Sequence, residues 1–221
     1  MPELTIDVWS DVVCPWCFIG KRRLDTALAA FEHRDTVTVR FRSFQLDPNA
    51  PRESTETLPE RTRRDLGLAT VEEAKGLHAQ VTALAAAEGL EFRLDRACPV
   101  NSHDAHRLLH FAAGQGRGEA LQERLSLAYT AEGALISDHD TLLALAGEAG
   151  LDQQAARAVL EGDAFADAVA ADRRQALEIG INSVPSFLVG GRYLLAGAQP
   201  AGTIGDVLSR AWDELTAIST R

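Results

Sequence analysis

Two cysteines separated by two residues, Cys14 and Cys17, are the residues whose types and spacing are best suited to chemistry. A Cys-x-x-Cys pair can cycle between a dithiol and a disulfide, and a pair beside a strand–helix–strand pattern is typical of a redox site. The first cysteine of such a pair is usually the exposed nucleophile, whereas the second lies nearer the core. We therefore predict that Cys14 is the attacking thiol and that Cys17 resolves the mixed disulfide.

The cysteines lie where a predicted strand meets a predicted helix. Residues 4–9 alternate apolar and polar side chains as a strand does, and residues 14–34 carry apolar residues at helical spacing. The unpaired N–H groups and partial positive charge of a helix N-terminus stabilise a thiolate. Pro15 suits the first helical turn, where its missing N–H has no cost. The sequence thus predicts a reactive thiolate at Cys14.

A zinc site is the main alternative use of a Cys-x-x-Cys pair. Zinc would need two more ligands at metal spacing, and the sequence offers one further cysteine, Cys98, with His103 near it. Two buried structural thiols would explain neither Pro15 nor the position between strand and helix. We therefore expect no metal at this site, and we expect Cys98 to be a partly buried thiol without a catalytic role.

The composition is that of a globular protein with an acidic surface. The chain has 221 residues, of which 46% are hydrophobic and 24% charged, and its formal net charge is −10. Nucleic acids and anionic membranes bind basic faces, so we expect neither as a partner. The first residues lack the basic start and apolar run of a secretory signal, and the sequence has no apolar stretch of membrane-spanning length. We expect a cytoplasmic protein, in which a Cys-x-x-Cys pair is more often catalytic or metal-binding than a permanent bridge.

Strand patterns occur at both ends of the chain. Residues 37–42 alternate as residues 4–9 do, and the helix between them predicts a parallel pair with a right-handed crossover. Residues 184–189 and 192–195 flank a Gly-Gly turn as in a β-hairpin, and one more helix follows. Neither end makes a sheet by itself, so we predict a four-stranded mixed sheet built from both.

The middle of the chain has a helical pattern. Thr70 and Glu73 have the spacing of a capping box. Helices are predicted over 70–89, 101–113, 119–131, 137–150, 152–162 and 163–179. We therefore predict an α/β fold whose sheet domain, residues 1–54 and 180–221, is interrupted by an inserted all-helical domain, residues 55–179.

This layout resembles a thioredoxin-like fold with a helical insertion, as in the DsbA superfamily, and is most similar to its FrnE-like branch. The resemblance spans nearly the whole chain. It is carried by the segments Ser10 to Lys21, Phe44 to Leu46, Asn101 to Leu108, Tyr129 to Gly133 and Val184 to Phe187.

The resemblance implies a substrate-binding role for residues on both sides of the cysteines. Pro185 would be the cis-proline that faces the pair, and the Val184 backbone would then turn toward the active site. There it could pair with an extended peptide by strand addition. Pro15 and Trp16, between the cysteines, are predicted to bind substrate with them. The alternative is that Pro185 simply begins an edge strand.

Three histidines, His103, His106 and His110, share one side of a predicted helix at i, i+3 and i+7 spacing. They could line a groove opposite the cysteines, where histidine is a common acid–base group. They could equally be satisfied by local hydrogen bonds. Both interpretations stay open at this point.

The predicted activity is protein thiol–disulfide oxidoreduction or isomerisation through a mixed disulfide. The substrates would be proteins or small molecules that carry thiols or disulfides, with no cofactor beyond the redox-active disulfide and with glutathione as a candidate co-substrate. Since the Pro-Trp pair supplies no cation for the thiolate, we expect a potential less oxidising than the ~−120 mV of periplasmic DsbA.

Two other functions fit the same architecture. Kappa-class glutathione transferases and 2-hydroxychromene-2-carboxylate isomerases resemble it, but they use a serine in place of the nucleophile. A pathway-associated binding or chaperone protein is the third alternative.

Overall fold

A mixed β-sheet lies at the centre of the molecule. The computed structural model describes residues 2–53 and 56–219, and within them the sheet has four strands in the order β2-β1-β3-β4. The strands are β1 (Leu4–Ser10), β2 (Val37–Ser43), β3 (Ser186–Val189) and β4 (Tyr193–Ala196). β1 pairs with β2 in parallel, whereas β3 is antiparallel to both β1 and β4. The predicted parallel pair, hairpin and mixed sheet are thereby confirmed.

Helices cover both faces of this sheet. They are α1 (Pro15–Ala30), α2 (Leu58–Leu66), α3 (Val71–Ala87), α4 (His103–Ala113), α5 (Gly118–Leu127), α6 (His139–Glu148), α7 (Gln153–Glu161), α8 (Ala166–Glu178) and α9 (Ala201–Ser219). α5 continues into a π-helical turn, Ala128–Glu132, which ends at Gly133 with φ +71°. None of the helices in the described ranges has both the length and the apolar character needed to cross a bilayer.

The α1 helix and the α9 helix pack on one face of the sheet. Leu4, Ile6 and Val8 of β1 alternate into this core, where they meet buried side chains of α1, β3 and α9. α1 is shorter than predicted, because Phe31 leaves the helical conformation at φ −81°, ψ 124°. The Phe31 ring then packs edge-on against Trp212 of α9, and a 3₁₀ turn, Arg34–Thr36, leads into β2.

The opposite face of the sheet is covered by α8. Trp9 of β1 is fully buried there with Phe44, Ala176 and Ile181, and its indole N–H donates to the Asp172 carbonyl at 3.0 Å. The helices α4 to α7 form a separate core beyond this layer. Val12 packs into that second core, so the chain just before the cysteines touches the helical region.

The capping box predicted at the start of α3 is half formed. Thr70 caps α3 by accepting from the Glu73 N–H, but the Glu73 carboxylate accepts from the N–H of Ala69, at 3.0 Å, rather than from that of Thr70. The complete reciprocal pair is formed by Thr57 and Glu60 at the start of α2, a helix that was not predicted.

The division into two domains stays a prediction. Its first boundary falls on Ser54 and Thr55, which lie outside the described residues, as do the ends of the predicted sheet domain, Met1 and residues 220–221. The second boundary, between residues 179 and 180, falls directly after α8.

Candidate functional site

Both cysteines lie at the start of α1, directly after β1. Cys14 is the N-cap residue at φ −100°, ψ 109°, and Pro15 occupies the first helical position. The Cys14 N–H donates to the Asp11 carbonyl at 3.1 Å, and the Cys17 N–H donates to the Cys14 carbonyl at 3.0 Å. The turn thus places both cysteines at the N-terminal end of the helix, which carries the partial positive charge of the helix dipole.

Cys14 is not the exposed residue that the sequence led us to expect. Its side chain is 6% exposed and that of Cys17 is 4% exposed, so both thiols are buried. Cys14 is covered because the segment before β3 lies over it, and its Sγ donates to the Val184 carbonyl at 3.8 Å. Between the cysteines, Pro15 is half-buried, whereas Trp16 is 41% exposed.

Burial changes the acidity of Cys17. Desolvation raises the pKa of this thiol well above its ordinary value of 9.0, and the hydrogen bond and charge of Cys14 raise it further. The Asp11 N–H donates to the Cys17 Sγ at 3.5 Å and opposes this rise. Cys17 is therefore a neutral thiol at physiological pH, which suits a group that acts second.

The segment around residue 185 is packed directly against α1. The Val184–Pro185 peptide bond is cis, and Pro185 is buried. A Cβ added to Gly20 of α1 would lie 2.8 Å from the Pro185 Cγ, so a larger residue at position 20 would displace the proline. Cys14, Cys17, Val184 and Pro185 are thus brought together, although 170 residues separate Cys14 from Val184.

Asp11 is a residue of this site to which the sequence analysis gave no role. Its side chain is completely buried. The carboxylate accepts from the Leu46 N–H at 2.8 Å, from the Val13 N–H at 3.4 Å and from the His106 Nε2 at 3.2 Å. The available signal was an acidic residue between a buried strand and the cysteine pair.

The three histidines of α4 do not share one site. His103 contacts the Gln45 side chain at 3.4 Å, and burial lowers its pKa. His106 is 1% exposed and binds Asp11, whereas His110 lies 3.1 Å from the Asp172 carboxylate. Each imidazole has a hydrogen-bond partner, as the second interpretation predicted, but these partners are distant in the sequence. Of the three, His106 reaches a residue that contacts a cysteine.

Cys98 takes no part in the contacts of the pair. It is partly buried, as expected, and its Sγ donates to the Arg96 carbonyl at 3.7 Å. All three cysteines are free thiols. Within residues 2–53 and 56–219, groups of three or more histidine, cysteine or acidic side chains placed to hold a metal ion are absent.

Comparison with known proteins shows what this arrangement is similar to. A crystal structure described as a probable DsbA oxidoreductase, SCO1869 from Streptomyces coelicolor, is 39% identical; the match covers 96% of this chain and 91% of that chain, with a TM-score of 0.92. A 2-hydroxychromene-2-carboxylate isomerase is 15% identical over 97% and 98% of the two chains, with a TM-score of 0.72.

A third solved structure is the cytosolic disulfide reductase DsbM from Pseudomonas aeruginosa with GSH. It is 21% identical over 98% of both chains, with a TM-score of 0.60. At these identities the isomerase and DsbM show the fold alone. The predicted fold class, a thioredoxin-like α/β fold with inserted helices, is confirmed by the family and by the Streptomyces structure. The sequence pattern of the family described as "DSBA-like thioredoxin domain" matches residues 5–209, and the chain belongs to that family.

Proposed function

We propose that this chain is a cytoplasmic protein thiol–disulfide oxidoreductase or isomerase of the FrnE-like branch, with Cys14 as nucleophile and Cys17 as resolving thiol. The observation that carries the proposal is the position of the Cys14 Sγ, at the N-terminus of α1 and 3.8 Å from the Val184 carbonyl. The similarity to a probable DsbA oxidoreductase supports the same chemistry.

In the reducing direction, the Cys14 thiolate attacks a substrate disulfide and forms a mixed disulfide, and one substrate sulfur leaves and takes up a proton. Cys17 then loses its proton and attacks the Cys14 sulfur, which releases the second substrate thiol. The enzyme disulfide is returned to the dithiol by a thiol reductant of the glutathione class. Oxidation of a substrate dithiol is the same sequence reversed.

The substrate would bind where the two ends of the chain meet. A backbone that approaches Cys14 passes the Val184 carbonyl, so a substrate N–H can replace the Cys14 thiol as its donor, with Pro185 beside it. The exposed ring of Trp16 and the half-buried Pro15 offer apolar contact on the other side. These contacts suit an extended peptide around a cysteine.

The test uses single cysteine variants in insulin reduction and in refolding of a scrambled disulfide protein. Cys14→Ser should reduce both activities to the reagent blank, because the attacking sulfur is gone. Cys17→Ser should accumulate mixed disulfides, which gel shifts and mass spectrometry identify. Cys98→Ser is the matched control and should retain activity. Insulin reduction that survives Cys14→Ser would contradict the proposal. Assistance of refolding that survives this change, without insulin reduction by the wild type, would fit a pure binding protein.

A glutathione-dependent isomerase is the second candidate, favoured by the fold that the chain shares with a 2-hydroxychromene-2-carboxylate isomerase. The presence of both cysteines favours dithiol chemistry instead. Chromene isomerisation in the presence of glutathione distinguishes the two. Turnover that persists in Cys14→Ser would support the isomerase.

A further inference from the structure

One acidic residue, Asp11, contacts both cysteines through its main chain. The Asp11 N–H donates to the Cys17 Sγ, and the Asp11 carbonyl accepts from the Cys14 N–H. The carboxylate of the same residue is buried and faces three donors, two backbone N–H groups and the imidazole of His106. A buried carboxylate is therefore fixed immediately beside the redox pair.

The partners of the Asp11 carboxylate do not neutralise its charge with a lysine or an arginine. In the described part of the chain, the side-chain partners of Asp11, Cys14 and Cys17 include no lysine or arginine. His106 donates from Nε2, while its buried Nδ1 has no hydrogen-bond partner. The tautomer with the proton on Nε2 fits these contacts, since a second proton on Nδ1 would be a buried donor without an acceptor.

The charge on Asp11 acts differently on the two redox states. A disulfide is uncharged, whereas the reduced pair carries a thiolate when it is active. A negative charge in a buried site repels that thiolate and so disfavours the reduced state. The effect has this direction at the neighbouring thiol, Cys17, whose pKa is raised mainly by burial, with the Asp11 charge adding to the rise.

We propose that Asp11 and His106 form a positioning pair that sets the reduction potential of the dithiol, in which the carboxylate makes the pair more reducing and the imidazole moderates that effect. The inference rests on the proposed function and deepens it. Asp11 also positions Cys17, because its carboxylate contacts hold its own N–H toward the Cys17 Sγ.

The measurement is the equilibrium with glutathione, in which one enzyme disulfide and two glutathione thiols give one enzyme dithiol and one glutathione disulfide. Asp11→Asn keeps the side-chain size and removes the charge. We expect its equilibrium to shift toward the reduced enzyme by about tenfold, equal to about 30 mV for this two-electron couple. A shift below about threefold, or one toward the oxidised enzyme, would overturn the proposal.

The fold supplies a matched control in Asp172. It too is buried, and its carboxylate contacts a histidine of α4, His110, and a backbone N–H, that of Ser43. Among the described residues, however, Asp172 makes no hydrogen bond with a cysteine. Asp172→Asn should therefore lower stability and leave the glutathione equilibrium at the wild-type value. An equal shift in both variants would assign the effect to loss of stability and overturn the proposal.

A double-mutant cycle tests the link to His106. His106→Leu removes the donor and should shift the equilibrium toward the oxidised enzyme, whereas His106→Gln keeps an N–H donor and should restore it. In the Asp11→Asn background, His106→Leu should have no further effect on the equilibrium. If Asp11→Asn does not fold, the comparison of His106→Leu with His106→Gln tests the proposal. The same glutathione equilibrium in these two variants would overturn it.

Failure of this inference is distinguishable from failure of the proposed function. The equilibrium requires just that the Cys14–Cys17 disulfide forms and is reduced by glutathione. The proposed function requires turnover of protein disulfides. If the wild type turns over protein disulfides but Asp11→Asn leaves the glutathione equilibrium unshifted, the inference alone is contradicted. If Asp11→Asn shifts that equilibrium but the wild type turns over no protein disulfide, the proposed function alone is contradicted.

Discussion

At the residue scale, the two cysteines of one helical turn have different surroundings. Cys14 contacts the Val184 carbonyl, a group that a substrate can also use. Cys17 contacts the Asp11 N–H from within the core, and desolvation keeps its proton in place. Resolution of a mixed disulfide therefore requires a proton to leave a buried site, so the environment of Cys17 governs the second half of the reaction.

The raised pKa of Cys17 predicts how stability depends on pH. In the unfolded chain the thiol ionises near its ordinary value of 9.0, whereas the folded protein keeps the proton to higher pH. The stabilising contribution is therefore complete below pH 9.0 and is lost as pH rises through the folded pKa. The reduced protein should lose up to about 1.4 kcal/mol of its free energy of unfolding per pH unit in that range.

Urea unfolding of the reduced protein between pH 7 and 10 measures this loss. Cys17→Ala should show a shallower decline than the wild type, while Cys98→Ala serves as the control, because the Cys98 thiol contacts the Arg96 carbonyl and neither cysteine of the pair. Burial also raises the pKa of Tyr129, but that residue is present in every variant and cancels in the comparison. Identical slopes for wild type and Cys17→Ala would contradict the prediction.

Residue types alone identified the cysteines but not the partners of Asp11. The two cysteines of Cys-Pro-Trp-Cys are neighbours in the chain, so a single sequence is enough to recognise the pair. The contact between Asp11 and His106 joins residues 95 apart, and it exists because the segment after β1 packs against α4, where Val12 enters the same core as Ala105 and Leu108. A periodicity argument places a histidine on a helix face, but the residue that this face meets depends on tertiary packing.

At the scale of elements, α1 carries the dithiol and is held against the segment before β3. Gly20 makes this contact close, since its missing Cβ leaves room for the Pro185 ring and for the end of the Phe187 ring. The contact sets the distance between the first turn of α1 and Val184. A glycine in a helix is normally unfavourable, so its presence here follows from packing.

Gly20→Ala should therefore destabilise the protein despite the better helix propensity of alanine. We expect a loss on the order of 1–3 kcal/mol from overpacking, measured by urea unfolding, together with slower insulin reduction. Gly76→Ala in α3 is the matched control, because the space around Gly76 is open. That variant should be more stable by up to about 1 kcal/mol. A stabilised Gly20→Ala would show that the contact is loose.

Elements with apolar periodicity were predictable, and α2 was not. Its residues, Leu58–Leu66, are mostly charged or polar, so no apolar stripe marks the helix. The start signal was nevertheless present, because Thr57 and Glu60 have capping-box spacing and Pro59 lies in the first turn. The same spacing at Thr70 is the clearer signal, because a longer helix, Val71–Ala87, follows it.

At the scale of the whole molecule, the helical region is attached to the sheet through Asp172 of α8. Its carbonyl accepts from the Trp9 indole, and its carboxylate accepts from the Ser43 N–H and faces Arg42 and His110. Burial alone would raise the pKa of Asp172, but the hydrogen bonds and charges around it hold the pKa below its ordinary value of 3.8. The sequence pattern predicted the α8 helix, but it did not predict that this helix packs on β2.

A lowered pKa gives Asp172 a stabilising role that acid removes. The contribution is present above the unfolded value of 3.8 and is lost as pH falls through the folded pKa. Asp172→Asn should cost on the order of 1–3 kcal/mol at neutral pH, because a buried acceptor is replaced in part by a donor. Below pH 4, the Asp172→Asn variant should lose less of its remaining free energy of unfolding than the wild type loses. Acid unfolding followed by circular dichroism measures this difference. Parallel acid curves would contradict this.

The distance along the chain between Cys14 and Val184 has a consequence for the newly made protein. Ribosomes add about 5–20 residues per second, so the cysteine pair precedes its cover by roughly 10–30 s. During that interval the nascent chain presents both thiols without the carbonyl that later shields the first. Translation in an oxidising extract should therefore close the dithiol before the protein has finished folding.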